Sequence, residues 1–282
     1  MRLVRILILI LFSITAVFYG FHAISVKLTS DTVPPVITAD SDEIFVSVAV
    51  TDEELLEGMH AQDNKDGDVS SSMVVVSRLD FIQKGTLKVN YAAFDKSNNV
   101  STYTRTVTYT DYQSPRFTAT KPFRFSDTEE SATALSSVKV DDVLDGDLTP
   151  DIRITYGENE GIKYPVVLEV TNSAGDSAIV SVNVFLEDRM SLSIPSVALS
   201  EYIVYAEKGG YIDPAAYVIG TYQNSIIYPF TETSTYNMDY VTWDDSGVDY
   251  NTPGEYIIKY SLLNEYGESQ NETELYVIVE ED

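Results

Sequence analysis

The chain has 282 residues, no cysteine and a formal net charge of −26, with 44 acidic against 18 basic side chains. The lack of cysteine excludes disulfides, thiolate metal sites and cysteine nucleophiles. The acidity argues against nucleic acid as a partner, because such a surface repels phosphates. With 44% hydrophobic residues the chain can bury substantial cores, so we expect it to fold despite its charge.

The amino terminus is a strongly apolar leader. Arg2 and Arg5 precede an uncharged, largely apolar run from Ile6 to Phe21, which is slightly shorter than the ~20 residues that comfortably span a bilayer. Residues 1–30 are therefore predicted to be an uncleaved membrane anchor, which we favour, or a signal peptide that is removed. Because flanking arginines stay in the cytoplasm, the rest of the chain is expected outside the cell, either anchored to the membrane or secreted.

An internal repeat organises the chain after the leader. Pro35, Pro115 and Pro195 stand 80 residues apart, and each opens a stretch of short alternating strands. This period fits three immunoglobulin-like sandwiches better than the two domains that length alone suggests. We therefore predict an all-β chain with three tandem immunoglobulin-like β-sandwich domains behind an N-terminal helix. The predicted domains are residues 31–111, 112–189 and 190–282.

Each repeat ends in a predicted β-hairpin. In the first repeat Leu87, Val89 and Tyr91 alternate with other residues, which is the period-two pattern of a strand with one buried face. An Asp- and Asn-rich turn at residues 95–99 then leads into a second alternating strand. The same order returns around residues 172–176 and 264–268. Residues 51–60 are locally the most helix-friendly stretch and predict a short turn over the end of the first sandwich.

Motifs shared by the repeats suggest a family. The first repeat runs from Pro34-Pro35-Val36-Ile37 through Asp66-Gly67-Asp68 and Leu87-Lys88-Val89-Asn90-Tyr91 to Asp95-Lys96-Ser97-Asn98-Asn99. This pattern resembles the bacterial immunoglobulin-like surface repeats of Gram-positive envelope proteins and of accessory domains beside pesticidal crystal toxins. The second repeat keeps Asp145-Gly146-Asp147, whereas the third has Gln223-Asn224-Ser225-Ile226 near that place. The resemblance implies an extracellular, non-catalytic spacer or adhesion module and does not identify a ligand.

The Asp-Gly-Asp turns gather carboxylates, which are the ligands that calcium prefers. The candidate calcium ligands are Asp63, Asp66 and Asp68 in the first repeat and Asp141, Asp142, Asp145 and Asp147 in the second. Their spacing is not that of an EF-hand, because the first copy would have Gln62 at the first ligand position. The alternative is structural: Asp-Gly forms the turn, and the flanking aspartates cap its backbone.

Aromatic residues are concentrated in the third repeat. Most of the 20 tyrosines and the single tryptophan follow residue 189. Tyr236, Tyr240, Trp243 and Tyr250 form a candidate ligand-binding patch, since aromatic side chains stack on sugars or anchor a protein partner. The expected partner is a glycan or surface protein of the cell envelope or of a host. The alternative is that these side chains are ordinary sandwich packing.

The sequence offers little for catalysis. His60 is the single histidine outside the leader, and no nucleophile motif accompanies it. We therefore expect no enzyme, no catalytic residues and no cofactor other than the calcium considered above. The predicted function is a non-catalytic bacterial surface protein, with an immunoglobulin-like stalk and a divergent third domain that binds or adheres. The alternatives are a carbohydrate-binding or enzyme-accessory module that uses the aromatics, and a hydrolase with an unrecognised carboxylate pair.

Overall fold

The computed structural model describes residues 2–29, 31–126 and 131–281. The chain forms two compact units, residues 1–112 and 113–282. After the N-terminal helix, both units are built on β-sheets, which confirms the predicted all-β fold. The predicted boundary of the leader at residue 30 lies outside the described residues.

The leader forms one continuous α-helix, Arg2–Thr29. Its segment Leu3–His22 has a mean hydropathy of 2.3 and is not buried, so it is long and apolar enough to cross a membrane. A signal sequence near the N-terminus has the same properties. The hydroxyls of Ser13 and Thr15 donate hydrogen bonds to carbonyl oxygens one turn earlier, which satisfies these polar groups within the helix as a bilayer requires.

Two sheets form the β-sandwich of the first unit. The first sheet contains, in spatial order, Val36–Ala39, Met59–Asp63 and Gly67–Asp68. The second contains, in spatial order, Glu43–Val46, Val100–Tyr109, Thr86–Phe94 and Val74–Gln83. Glu43–Val46 runs parallel to its neighbour, while the other pairs of this sheet are antiparallel. Side chains from both sheets, such as Ala61 and Val89, are buried.

The predicted hairpin of the first repeat is confirmed. Thr86–Phe94 pairs with Val100–Tyr109 over its full length, with Leu87 opposite Val107. Leu87, Val89 and Tyr91 are buried as the alternation predicts, because every second side chain of a strand points to the same face. The strand face with these residues therefore forms part of the core.

The helix-friendly stretch after Val50 forms the short helix Asp52–Leu55, followed later by the 3₁₀ turn Ser70–Ser72. Thr51 and Glu54 make a capping box, in which each side chain bonds the backbone amide of the other. Leu55 is fully buried, and the Tyr91 hydroxyl donates to its carbonyl oxygen at 3.1 Å. The segment thus contributes to the core as well as covering the end of the sandwich.

The second unit begins with another pair of sheets. The smaller sheet contains, in spatial order, Gly146–Asp147, Val138–Asp142 and Arg116–Ala119. The larger contains Arg153–Tyr156, Lys163–Thr171, Ser177–Glu187 and Arg124–Ser126. Lys163–Thr171 and Ser177–Glu187 form the predicted second hairpin, with Leu168 opposite Val180.

A second pair of sheets completes this unit. The smaller sheet contains Ser196–Leu199, Val218–Gln223 and Ile226–Pro229. The larger contains Ile203–Ala206, Ser269–Val279, Gly254–Leu263 and Val241–Asp244, and its central strands form the predicted third hairpin. The short helices of the unit are Ser131–Leu135, Thr149–Asp151, Arg189–Leu192, Pro214–Tyr217 and Met238–Tyr240.

The divergent sequence at residues 223–226 has a structural explanation. Asn224 and Ser225 both have positive φ, +50° and +65°, and Gln223 pairs with Ile226 across them. Two residues with positive φ make the tight type I′ turn that suits the twist of a hairpin. The third repeat therefore replaces the Asp-Gly turn by another short turn at the corresponding place in its smaller sheet.

Buried side chains of residues 117–279 form one hydrophobic cluster that includes both pairs of sheets. Phe123, from the first pair, lies edge-on to Tyr202 and Tyr276 of the second, with ring centroids 6.5 and 5.6 Å apart. The predicted boundary between domains at residue 189 thus lies within a single compact unit. The division into three domains stays a prediction.

A buried ion pair lies within the larger sheet of the first pair, and its arginine also reaches the second pair. Arg124 donates to the carboxylate of Glu187 and to the main-chain oxygen of Glu272. Both side chains of the ion pair are more than nine-tenths buried. Burial raises the pKa of Glu187, although the Arg124 charge opposes this shift.

We predict that Arg124→Met destabilises the protein by about 3–5 kcal/mol at pH 7, because it leaves the Glu187 carboxylate buried without a cation. Since the folded-state pKa of Glu187 lies above its unfolded value, protonation stabilises the folded form at low pH, and this contribution is lost as the pH rises through the folded pKa. Without the Arg124 charge, which lowers this pKa, Glu187 takes up its proton more readily in the variant, so the deficit relative to wild type should be smaller at about pH 4. Urea unfolding followed by Trp243 fluorescence measures both values.

Arg153→Met is the matched control for this prediction. Arg153 pairs with Glu169 at 3.3 Å, but its side chain is exposed, so its loss should cost at most about 1 kcal/mol. Equal costs for the two substitutions would contradict a special role for the buried pair.

Candidate functional sites

The Asp-Gly turns are held by carboxylates that cap the backbone. Asp63 Oδ1 accepts hydrogen bonds from the amides of Lys65 and Asp66, both at 2.8 Å, and Asp142 makes the equivalent bonds one repeat later. The Asp66 amide contributes most to lowering the pKa of Asp63. Gly67 then adopts a φ of +75°, a conformation that glycine reaches without steric cost. The structural role predicted for these aspartates is thus present.

The central aspartate of each turn reaches across to the long hairpin. Asp66 Oδ2 accepts a hydrogen bond from the Lys96 amide at 2.9 Å, and Lys96 Nζ lies 3.4 Å from Oδ1. In the second repeat, Asp145 accepts from the Ser173 amide at 2.6 Å and from its hydroxyl at 2.7 Å. Each bond connects a turn of the smaller sheet to a turn of the larger one.

The remaining predicted calcium ligands are exposed. Asp68 Oδ1 accepts from the Ser70 amide, and Asp147 Oδ1 accepts from the Thr149 amide, both at 2.9 Å. The hydroxyl and amide of these partners lower the pKa of both aspartates. Asp141 is an exposed strand residue. These three carboxylates therefore face solvent.

A different set of carboxylates comes together in the first unit. Asp31, Asp63 and Asp95 each place one carboxylate oxygen within 4.8 Å of an oxygen from the other two. All three residues are buried, with exposed fractions of 8%, 3% and 6%. Within residues 2–29, 31–126 and 131–281, no other group of three or more acidic or histidine side chains places its ligand atoms within 4.8 Å of one another. Asp63 was predicted as a ligand, whereas Asp31 and Asp95 were missed.

Asp95 begins the hairpin turn of the first repeat. Its Oδ1 accepts hydrogen bonds from the amides two and four residues later, both at 2.8 Å. Asn172 and Asn264 use their Oδ1 atoms in the same way in the other two turns. In the second repeat, Asn172 also donates from Nδ2 to Asp142 Oδ2 at 3.1 Å. The position is therefore an acid in the first repeat and a neutral amide in the others, a contrast that was visible in the sequence.

The four predicted aromatic residues lie in three separate ring contacts. Tyr236 and Tyr240 are edge-on to each other with centroids 5.7 Å apart. Trp243 lies 6.4 Å from the buried Tyr260, directly opposite it in the sheet, and is 39% exposed. Tyr250 lies 5.6 Å from Tyr211. The tyrosines of the predicted patch pack partly against the hydrophobic cluster, so packing accounts for much of their surface.

A groove of about 310 Å³ lies beside Tyr236 in the second unit. Its lining includes the aromatic side chains of Tyr228, Phe230 and Tyr236 together with Gln223, Thr233 and Thr235. Tyr228 is 47% exposed. The groove contains one of the predicted binding residues, while Tyr228 and Phe230 were missed.

Close approach of two paired strands positions Tyr228 in the groove. Gly220 lies opposite Pro229 in the pairing of Val218–Gln223 with Ile226–Pro229. A Cβ at residue 220 would lie 2.1 Å from the Tyr228 carbonyl oxygen, so only glycine permits this approach. The following loop is closed by the Ser234 amide, which donates to the Thr231 carbonyl oxygen at 3.1 Å.

His60 lies in an exposed position of the first unit. Its Nε2 is 3.3 Å from Asp40 Oδ1, and both side chains are mostly exposed. A catalytic histidine is normally oriented by a buried partner and lies within reach of a nucleophile. The surroundings of His60 therefore give no support to acyl-transfer chemistry.

No protein-family profile matches the sequence, and no curated protein matches it. Solved structures resemble the chain only weakly, with low sequence identities and low TM-scores. A structure of a catalytic domain with the CBM51-1 and CBM51-2 domains of Clostridium perfringens ZmpB is 11% identical with a TM-score of 0.23, covering 59% of this chain and 32% of that chain. CBM51-2 in complex with GlcNAc and INT domains of the same protein is 19% identical with a TM-score of 0.22, covering 49% and 29%.

The extracellular cadherin domains 1–5 of protocadherin Gamma B2 cover more of the chain. They are 12% identical with a TM-score of 0.20, covering 88% of this chain and 60% of that chain. The chain thus spans less than two thirds of each of these three structures. At these TM-scores the similarities carry no functional argument.

We predict that Asp145→Ala lowers the free energy of unfolding by about 1–2 kcal/mol, because two hydrogen bonds to a charged acceptor are lost. The loss should be the same with calcium and with chelator if the role is structural. Asp141→Ala, at an exposed strand position, should change stability by less than about 0.5 kcal/mol. Urea unfolding monitored by Trp243 measures these effects, and a loss that disappears in chelator would contradict the structural assignment.

Proposed function

We propose that the protein is a non-catalytic, membrane-tethered surface protein whose second unit binds a neutral carbohydrate in the groove beside Tyr236. The observation that carries the proposal is the combination of aromatic faces with hydroxyl and amide groups in one concave site. Membership of the bacterial immunoglobulin-like surface repeats is part of the proposal. It rests on the Asp-Gly-Asp turns and on the three equivalent hairpin turns.

The chemistry of the groove suits a sugar. Aromatic rings such as Tyr228 and Phe230 offer large apolar faces that stack against the C–H face of a pyranose with little loss of side-chain entropy. Thr233, Thr235 and Gln223 supply polar groups that can donate to and accept from sugar hydroxyls. A ligand site needs only a few such polar groups among apolar ones to fix the orientation of its ligand.

The net charge of −26 favours a neutral sugar over an anionic one. A surface with such an excess of carboxylates repels anions at long range and lowers their local concentration. This repulsion does not act on neutral glycans, so their local concentration is not lowered. We therefore infer that neutral polysaccharides of a cell envelope or of a host surface are better ligands than acidic ones.

Binding without turnover is supported by the composition of the groove. None of the described residues that line it is acidic or a histidine, whereas glycoside hydrolysis commonly uses two carboxyl groups that flank the scissile bond. The sugar would therefore be held without a general acid or nucleophile beside it.

We predict that Tyr228→Ala and Phe230→Ala each weaken retention on a neutral polysaccharide at least ~10-fold, since one stacked aromatic contributes about 1–3 kcal/mol. Affinity electrophoresis or a glycan array with the full chain in detergent measures the effect. Tyr266→Ala is the matched control, because Tyr266 is an exposed tyrosine in the turn after Leu263. Retention that Tyr266→Ala reduces equally, or that neither groove substitution changes, would contradict the site.

The same design separates the carbohydrate proposal from adhesion to a protein. A partner protein that is bound equally well by wild type and by Tyr228→Ala would place adhesion elsewhere on the chain. Trp243→Ala tests the aromatic patch predicted from sequence. If retention depends on Trp243 and not on Tyr228, the binding surface lies around that residue instead.

We further predict that the helix Arg2–Thr29 remains attached and anchors the protein in the membrane. The N-terminal peptide should be detected by mass spectrometry in the protein from the membrane fraction. Leu11→Arg should reduce membrane retention, because an arginine at the centre of a spanning helix costs about 2.5–3.5 kcal/mol on insertion. Leu11→Phe is the control. A mature chain in the medium that lacks the leader would show that the segment is a cleaved signal.

A further inference from the structure

The buried carboxylates of Asp31, Asp63 and Asp95 present an electrostatic problem. Their oxygens lie within 4.8 Å of one another, and each residue is at least nine-tenths buried. Like charges at this separation repel strongly where water is excluded. A folded protein that keeps three such carboxylates together requires protons or a cation to compensate them.

We propose that Asp31, Asp63 and Asp95 form a calcium-binding site in the first unit. Two carboxylate oxygens that bind one calcium ion at ~2.4 Å are separated by no more than about twice that distance. The observed separations fall within that limit. The three aspartates can supply three to six oxygens, and calcium completes its six to eight ligands with water or carbonyl groups.

Unpartnered oxygen atoms support the site independently of the acidic clustering. Asp31 Oδ2 and Asp63 Oδ2 are both buried and have no hydrogen-bond partner. Their Oδ1 atoms, by contrast, are occupied: Asp31 Oδ1 accepts from the Val33 amide at 3.1 Å, and Asp63 Oδ1 accepts from two amides of its turn. Buried polar atoms nearly always have a partner. A bound cation is the partner that fits two anionic oxygens at once.

The repeats themselves show that the turn does not need a carboxylate at residue 95. Asn172 and Asn264 form the same turn with a neutral amide, accepting the same pair of backbone hydrogen bonds. In the second repeat, the Asn172 amide also satisfies the buried Asp142 Oδ2. In the first repeat Asp95 Oδ2 instead accepts a hydrogen bond from Asn99 Nδ2 at 2.6 Å. A carboxylate at residue 95 cannot donate to Asp63 as the Asn172 amide donates to Asp142, so Asp63 Oδ2 stays without a hydrogen-bond partner.

Lys65 compensates the cluster in part. Its Nζ lies 4.0 Å from Asp31 Oδ1, at the limit of an ion pair, and its side chain is about half exposed. One ammonium group supplies a single positive charge against three carboxylates. A divalent cation between the three oxygens balances the cluster far better than this lysine alone.

Calcium suits the site better than other common metals. All three ligands are carboxylates, which are hard oxygen donors, whereas zinc and copper sites normally include histidine or cysteine. Magnesium requires a nearly ideal octahedron at 2.0–2.1 Å and keeps most of its water. Calcium accepts irregular geometry and longer bonds, as three side chains from distant parts of the chain provide.

The position of Asp31 suggests the consequence of binding. Asp31 follows the end of the helix Arg2–Thr29 by two residues, while Asp63 precedes the Asp-Gly turn and Asp95 begins the hairpin turn. An ion shared by the three would join the segment after the anchor to two turns of the sandwich. Calcium would thus make the connection between anchor and sandwich more rigid.

The test uses the full chain in detergent with calcium chloride alone as the probe. Isothermal titration calorimetry should show one calcium ion bound per wild-type chain at this site. Asp95→Asn should bind at least ~10-fold more weakly, since loss of even an outer-shell partner typically weakens a metal site by 10–100-fold. Asp31→Asn, outside the strands, should give the same loss and serves as a second variant if Asp95→Asn folds poorly.

Hydrogen exchange with mass spectrometry locates the ion. In wild type, calcium should slow amide exchange at least ~10-fold in the peptides around residues 63–66 and 95–99, because only the bound state is protected from local opening. The equivalent peptides around residues 142–145 and 172–176 are internal controls and should not change. Asp142→Asn should retain the full wild-type response to calcium.

Three outcomes would overturn the proposal. The first is wild-type protein with no calcium-dependent heat or protection. The second is an Asp95→Asn response equal to wild type, which would indicate binding to the acidic surface in general. The third is equal protection by magnesium chloride at the same concentration, which would remove the assignment to calcium.

Discussion

In each of the first two repeats, a carboxylate at the Asp-Gly turn of the smaller sheet accepts a hydrogen bond from the hairpin turn of the larger sheet. Asp66 bonds the Lys96 amide, and Asp145 bonds the Ser173 amide. Because these bonds connect the two layers at one end, they fix the relative positions of the turns. The buried aspartates next to these turns, Asp63 and Asp95, are brought together by the same geometry. The calcium proposal therefore depends on this connection between turns.

A chain without cysteine must hold its sheets together by packing and polar contacts alone. Alternating side chains of the long hairpins are buried in both units and contribute apolar surface to the cores. In the second unit, the bond from Arg124 to the main-chain oxygen of Glu272 and the ring contacts of Phe123 connect the two pairs of sheets. These contacts explain why residues 113–282 form a single compact unit although the sequence repeat runs through them.

The groove arises where the third repeat departs from the first two. A two-residue turn at Asn224 and Ser225 replaces the Asp-Gly turn, and the loop after Pro229 continues without regular strands as far as Val241. This loop supplies polar residues beside the aromatic side chains of Tyr228, Phe230 and Tyr236. Loops that differ between otherwise similar repeats are suited to specific binding, because the surrounding sheets hold them in place.

The sequence by itself determined the local elements of this protein. Period-two alternation indicated the three hairpins, Asx and glycine residues marked their turns, and the apolar leader gave the helix Arg2–Thr29. These features depend on neighbouring residues, so they can be deduced without knowledge of the fold. The contrast between Asp95 and the asparagines of the other turns was also present in the sequence. The sequence did not show that Asp95 lies beside Asp31 and Asp63.

Only the tertiary structure decided which side chains meet. Asp31, Asp63 and Asp95 come from three separate segments, and no local spacing brings them together. Gly220 allows the strand Ile226–Pro229 to approach its neighbour closely, and Tyr228 of this strand and the following Phe230 line a groove with Tyr236. Sheet pairing and packing between layers set such contacts, because they join residues that are distant in sequence. The local pattern of the chain therefore predicted the strands, whereas the long-range pairing created both candidate sites.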